Sequence, residues 1–328
     1  MRILFAGSPD IAAVLLNYLL KLQDASFKIV GVLTNPPAPQ GRKSTLVPTP
    51  VEQVAREYNS SLSDVSKTVQ IFTPDKLDAS VREKISQLKC DLLVCFAYGK
   101  IFGPKFMALF PFGGINIHPS LLPKFRGCAP IPAAILAMEK ETGITIQRLA
   151  QEMDCGDILA QKIIPLDGKE TSESLLNYCA TECCGMIHDI LNKIADGKET
   201  STPQKGKASY CSMLKKEDGQ INWSKSAKEI DAQIRAFFPW PGAFTKCGEN
   251  ILHIHSAKVY DEDIDALKEV LETAQNGQII KNDKKFGILV KTGNGVLKLE
   301  NLQWQTKKAM PWKDFINGNQ NLCNKVFE

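Results

Sequence analysis

Apolar positions along the first 200 residues fall into two alternating patterns. Short continuous runs at 2–6, 28–34, 70–72, 91–96, 114–117, 145–149 and 158–164 predict strands. Apolar residues at helical spacing over 11–22, 51–58, 81–88 and 172–195 predict helices. Strands alternating with helices imply βαβ units and a mostly parallel sheet, so the expected class is α/β and Rossmann-like. A run without a polar break, such as Leu92-Leu93-Val94-Cys95-Phe96, fits a strand covered on both faces.

The pattern stops at residues 196–207, a polar stretch with two glycines and one proline. Beyond it one helix is predicted at 226–236. Short strands follow at 243–247, 251–259, 277–280, 287–291 and 296–302, which suggests a small β-barrel. The expected organisation is a domain over 1–196, a linker over 197–207 and a smaller domain over 208–328. Trp240, between Pro239 and Pro241, is expected in the core.

Composition narrows the class. Hydrophobic residues at 44% and charged residues at 23% exclude a largely disordered chain. No apolar stretch reaches the roughly 18 residues of a membrane helix. The first residues read as a buried strand running into a turn and not as a signal or transit peptide, so a cytosolic protein without a membrane partner is expected. Ten cysteines show no paired CxxC spacing, and free thiols are expected. Cys179, Cys183 and Cys184 lie in a helical pattern, where cysteine serves as a small core residue. No metal is expected: His253 and His255 alternate along a predicted strand and have no third ligand in view. The net charge of +4 lies wholly beyond residue 204, where 19 Lys and Arg stand against 15 Asp and Glu. That points the C-terminal third toward a polyanionic partner.

Candidate chemistry concentrates in one stretch. The first βα turn, Ala6-Gly7-Ser8-Pro9-Asp10, is not a dinucleotide fingerprint, and no phosphate-binding GxxxxGK[ST] occurs. At the C-terminal end of the strand predicted at 114–117, Asn116 and His118 share a face, because strand side chains alternate. Open α/β sheets place ligands at that end. An amide and an imidazole there suit acyl chemistry: the amide donates to a developing oxyanion, and the imidazole moves protons or polarises a carbonyl. A carboxylate to orient the imidazole is available in Glu152-Met153-Asp154-Cys155-Gly156-Asp157, where either Asp154 or Asp157 can serve. A second feature is the long loop over 35–50, which carries Arg42 and Lys43 among five prolines with no acid nearby. Long loops of this kind are usually functional.

Ser120-Leu121-Leu122-Pro123-Lys124-Phe125-Arg126-Gly127 resembles the signature of the 10-formyltetrahydrofolate-dependent formyltransferases. Asn116-x-His118 before it and Met153-Asp154-x-Gly156-Asp157 after it match that family's catalytic Asn-His-Asp set, which assigns the carboxylate to Asp154. The resemblance further implies that Ser120, Leu121, Leu122 and Pro123 border the folate. Pro39-Gln40-Gly41-Arg42-Lys43-Ser44-Thr45-Leu46-Val47-Pro48-Thr49-Pro50-Val51 is similar to the basic loop that methionyl-tRNA formyltransferases place beside the tRNA acceptor stem. Asp218-Gly219-Gln220-Ile221-Asn222-Trp223 and residues 234–244 resemble the start of the family's C-terminal domain, a barrel of the oligonucleotide-binding (OB) kind. Pro119 stands where some relatives carry glycine, and Cys155 where another small residue is common.

The resemblance implies formyl transfer from 10-formyltetrahydrofolate to the α-amine of initiator Met-tRNA, with no metal, by a monomer. Asn116 and a protonated His118 would donate to the oxyanion, Asp154 would orient His118, and Arg42 and Lys43 would contact tRNA. The alternative within the fold is a formyltransferase acting on an amino sugar-nucleotide. A further alternative is a non-catalytic RNA-binding protein.

Overall fold

In the computed structural model, which describes residues 1–22, 24–40 and 44–328, the chain divides into two units. The first comprises Met1–Pro130, Glu141–Pro165 and Leu176–Cys211, the second Ile131–Lys140, Leu166–Leu175 and Ser212–Glu328. Along the chain run β1 (Arg2–Gly7), α1 (Asp10–Lys21), β2 (Lys28–Leu33), β3 (Ala38–Gln40), β4 (Thr45–Val47), α2 (Pro50–Ser61), β5 (Gln70–Phe72) and α3 (Ala79–Ser86). Then come β6 (Leu92–Phe96), α4 (Pro104–Met107), β7 (Gly114–His118), β8 (Arg126–Gly127), α5 (Pro130–Leu136), β9 (Glu141–Arg148), β10 (Ile158–Pro165), α6 (Ser172–Ala195) and β11 (Tyr210–Cys211).

The first unit is built on a seven-stranded sheet in the order β10-β9-β7-β6-β1-β2-β5. β5, β2, β1, β6 and β7 are parallel, and β9 and β10 extend that sheet antiparallel beside β7. The order in which strands are laid down reverses between β1 and β6, and sheets of this kind bind ligands at the carboxyl ends of their strands near that switch. Every residue of β6 is buried, as its unbroken apolar run predicts. α1 turns Ala12, Ala13, Leu15, Leu16 and Leu19 inward. α2 starts where Thr49 accepts from the Glu52 N–H at 3.1 Å and Pro50 supplies the first helical φ. On α6, Cys179, Cys183, Ile187 and Leu191 recur every fourth residue and are fully buried, so the cysteines are part of a core stripe.

Two features differ from the sequence reading. The 35–50 loop is not structureless: β3 and β4 pair antiparallel as a hairpin, with Thr45-Leu46-Val47 supplying a short β-branched strand. Its feet are pinned where Thr34 Oγ1 and Thr49 Oγ1 meet at 2.6 Å, at the carboxyl end of β2. Arg42 and Lys43 lie outside the described residues. The stretch 197–207 is fastened to the first unit along its course: Thr202 exchanges both backbone hydrogen bonds with Ile158, at 2.8 and 2.9 Å. Polar composition marks a surface strap as readily as a free linker.

The second unit holds α7 (Ala227–Ala236), β12 (Ala243–Cys247), β13 (Asn250–Tyr260), α8 (Lys268–Thr273), β14 (Ile279–Asp283), β15 (Gly287–Lys291), β16 (Val296–Trp304), β17 (Met310–Pro311) and α9 (Trp312–Gly318). Its antiparallel sheet has the order β12-β13-β16-β15-β14, with β17 on β16. Irregular register in β13 between Ile254 and Ala257 bends that long strand, and the sheet curls around Ile230, Leu252, Val290, Leu297 and Phe315. α7 begins with a capping box between Ser226 and Glu229. Trp223 is buried and donates from Nε1 to Thr245 Oγ1 at 2.9 Å. Trp240 corrects the expectation of a core position: it is 57% exposed, held out in a turn by the prolines on either side. His255 Nε2 meets Gln303 Oε1 at 2.8 Å, an ordinary cross-strand contact. Among the described residues no group of three His, Cys, Asp or Glu is placed to hold a metal ion, and no helix is long and apolar enough to cross a membrane.

Candidate active site

The β7 register brings Asn116 and His118 to one face at the carboxyl end of the strand. Asp154 arrives on the loop between β9 and β10. Its own φ of +56° turns the chain back, and Gly156 lets the loop lie against β9: a Cβ there would stand 1.7 Å from the Arg148 carbonyl oxygen. Opposite, Gly127 has a φ of +111° and offers its backbone N–H to Asp154 Oδ2 at 2.8 Å.

The three expected residues therefore meet. His118 Nδ1 lies 3.5 Å from Asp154 Oδ2, and Asn116 Nδ2 lies 3.5 Å from Asp154 Oδ1. His118 is 4% exposed and the Asp154 side chain 9%, whereas Asn116 is half-buried and reachable. His118 Nε2 lies 2.9 Å from the Phe125 carbonyl. A carbonyl only accepts, so Nε2 carries the hydrogen, and Nδ1 faces the carboxylate. Burial pushes the imidazole below its usual 6.5, against the opposing pull of Asp154 and the Phe125 carbonyl. Its Nε2–H is already engaged by the Phe125 carbonyl, and Nδ1 is turned to Asp154, so neither ring nitrogen points freely at a ligand.

Two residues that sequence reasoning passed over complete the site. Gln147, 1% exposed, donates from Nε2 to Asp154 Oδ1 at 2.8 Å. Gln204, within the polar stretch, donates from Nε2 to the carbonyls of Asp154 and Gly156, both at 2.8 Å, and accepts from Arg126 Nε and Nη2 at 3.1 and 2.7 Å. Gln147 faces Asn116 in the β7–β9 register, which no local pattern announces.

The four residues expected beside a folate divide. Ser120 and Leu122 are buried and hold the turn: Ser120 Oγ donates to the Lys124 carbonyl at 2.7 Å, and the Leu122 N–H donates to Thr145 Oγ1 at 3.2 Å. Leu121 and Pro123 instead line a cavity of about 260 Å³ together with Phe125, Thr142, one acid, Glu141, and three lysines, Lys124, Lys205 and Lys207. An apolar wall with ammonium groups suits an elongated ligand that ends in carboxylates. Cys155 lies beside Asp154, and burial raises its thiol, which makes it a weaker nucleophile than an ordinary cysteine.

An amide donor, an imidazole–carboxylate pair and a neighbouring cavity stand together, an arrangement chemically suited to acyl transfer. Residues 1–187 match the formyl transferase family and residues 213–320 its C-terminal domain. The chain belongs to the formyl transferase family. Methionyl-tRNA formyltransferase of Treponema denticola is 51% identical over the full length of both chains. Among solved structures, HypX from Aquifex aeolicus matches with a TM-score of 0.62 at 15% identity over 99% of this chain, which spans half the length of HypX. WlaRD, a sugar 3N-formyl transferase, matches with a TM-score of 0.63 at 20% identity over 94% of this chain and 99% of its own. These two likenesses establish the fold.

Proposed function

We propose that this chain transfers the formyl group of 10-formyltetrahydrofolate to the α-amine of initiator methionyl-tRNA, giving N-formylmethionyl-tRNA and tetrahydrofolate. The observation that carries the reading is the convergence of Asn116, His118 and Asp154 within 3.5 Å, in a chain aligned end to end with a methionyl-tRNA formyltransferase. The amine attacks the formyl carbon, and negative charge develops on the formyl oxygen. Asn116 is the donor for it: its contact with Asp154 is long at 3.5 Å, so its amide is free to turn to the oxyanion at little cost. His118, facing Asp154 through Nδ1, takes the proton that the amine sheds, directly or through water, and Asp154 stabilises the imidazolium; as the adduct collapses the formyl C–N10 bond breaks and that proton passes to N10, which leaves as tetrahydrofolate. Holding two large substrates in register supplies much of the remaining acceleration.

The folate lies along Leu121 and Pro123, with its carboxylates toward the lysines at the cavity rim. The first unit, whose Gln204 borders the site, is the catalytic domain, and residues 208–328, with 17 Lys and Arg against 15 Asp and Glu, bind tRNA mainly through phosphates. Arg42 and Lys43 contact the acceptor stem in this reading, which the placement of the β3–β4 feet at the same end of the sheet as His118 supports.

The test is formylation with labelled 10-formyltetrahydrofolate, offering initiator Met-tRNA and an amino sugar-nucleotide in parallel. Label on Met-tRNA alone is expected. Label on the sugar alone, or on neither with fresh folate and fully charged tRNA, would refute the assignment.

A further inference from the structure

We infer that Gln147 is a positioning residue for this reaction: its buried side-chain amide fixes the plane in which the Asp154 carboxylate faces His118. The inference rests on the reading of Asn116, His118 and Asp154 given above.

The geometry defines both ends of the Asp154 carboxylate. Oδ2 accepts from the Gly127 N–H at 2.8 Å and faces His118 Nδ1, while Oδ1 accepts from Gln147 Nε2 at 2.8 Å. Turning the carboxylate about its χ2 breaks both short bonds at once. Asn116 shares Oδ1 with Gln147 but at 3.5 Å, so Gln147 is the anchor and Asn116 the mobile partner. At 1% exposure no solvent stands beside Gln147 to replace its N–H when a side chain of the same length lacks the donor.

The direction of the Gln147 amide is itself determined. Gln204 Oε1 takes the Arg126 fork, and its Nε2 serves two backbone carbonyls. Reversed, Gln204 would set an oxygen against two carbonyls and an amino group against a guanidinium. Both Gln204 Nε2 hydrogens are thus taken, with Gln147 Oε1 3.4 Å away, and the Gln147 amino group is directed at Asp154 because a carboxylate only accepts. From Arg126 to Asp154 the donors run one way.

The titratable and charged groups around Asp154 include His118 from β7, the thiols of Cys95, Cys155 and Cys211, Glu152 beside Cys155, and Arg126 behind Gln204. Burial holds all three thiols above their usual range, so they stay protonated between pH 6 and 8.

The full-length protein is tested as Gln147→Met and Gln147→Glu, with kcat and KM measured from pH 6 to 8. Methionine keeps the length of the side chain and removes the donor. Glutamate offers a donor only when protonated, and beside Asp154 its proton is favoured by like-charge repulsion. Gln147→Met should lose about tenfold or more in kcat with KM for Met-tRNA within about twofold of the parent. Gln147→Glu should exceed Gln147→Met by at least about fivefold at pH 6 and lose that lead as pH rises. A merely structural glutamine would give two variants that fail alike at every pH. Parent-like kcat in Gln147→Met, or equal losses in both variants at pH 6, overturns the inference. Thermal unfolding of both variants separates lost folding from lost turnover. Asp154→Asn is measured alongside. If it turns over like the parent, the catalytic reading falls and the inference with it. If it is inactive while Gln147→Met is parent-like, the inference alone falls.

Discussion

Asp154→Asn removes one charge and changes almost no volume. Its consequences follow from the four groups around the carboxylate. Oδ2 is 3.5 Å from His118 Nδ1, and both side chains are nearly buried. A unit charge pair at about 4 Å in an effective dielectric of about 20 interacts by about 4 kcal/mol. That interaction stabilises the imidazolium formed as the amine gives up its proton, and its loss corresponds to about 10³-fold in kcat. The substitution also introduces a donor conflict. One end of the new side-chain amide must be an amino group, and it meets either the Gly127 N–H or the amino groups of Gln147 and Asn116. A buried donor left without an acceptor costs about 1–3 kcal/mol, so the variant should also unfold at lower temperature. The assay is single-turnover formylation of Met-tRNA at saturating folate, with tRNA affinity measured separately. A slowing of about 10³-fold with tRNA affinity near that of the parent is expected. A loss below about tenfold in a folded variant would show that His118 does not work through Asp154.

Asn116→Ala should lower kcat by about 10²–10³-fold, the usual cost of one oxyanion donor, with tRNA binding within about twofold; a loss under about tenfold would remove Asn116 from the chemistry. Arg42→Ala should strongly cut formylation of Met-tRNA and leave folate binding intact, and Arg42→Lys should recover only part of it, since lysine lacks the planar fork; parallel tRNA and folate titrations check both, and parent-like activity in Arg42→Ala would count against an RNA contact by Arg42. Away from the site, Asp24 meets His188 at 2.7 Å, which lowers its carboxyl from 3.8 to about 2. A depressed carboxylate stabilises the fold above its unfolded value and loses that contribution as pH falls through the folded value. The parent should therefore exceed Asp24→Asn in stability by about 1–2 kcal/mol at pH 5, with the gap narrowing toward about pH 2. Urea unfolding at pH 5 and pH 3 measures this, and an unchanged gap would mean that the pair contributes nothing through charge.

What the sequence disclosed and what it withheld separate along a physical line. β5 and α6 are found at their predicted limits because apolar runs and helical periodicity are local properties that burial enforces. The shared face of Asn116 and His118 is equally local, since strand alternation alone sets it. The β3–β4 hairpin was hidden because its strands are three residues long and one contains proline, so neither alternation nor propensity accumulates enough signal. The choice between Asp154 and Asp157 was undecidable from spacing. It is made by backbone geometry: the left-handed Asp154 turns its carboxylate toward Gly127 and His118, while Asp157 faces Ser201 at 3.4 Å. Gln147 needed still more, because only the pairing of β7 with β9 sets it opposite Asn116, and register between distant strands is not written in either strand. The charge of His118 is the same kind of fact. Proximity to a carboxylate argues for a proton, burial argues against it, and the outcome depends on how completely distant parts of the chain close over the ring. Where a side chain's role depends on its neighbours along the chain, sequence reasoning reached it. Where the role depends on neighbours across the fold, the structure had to supply them, and for this protein those are the groups that determine how the proton moves.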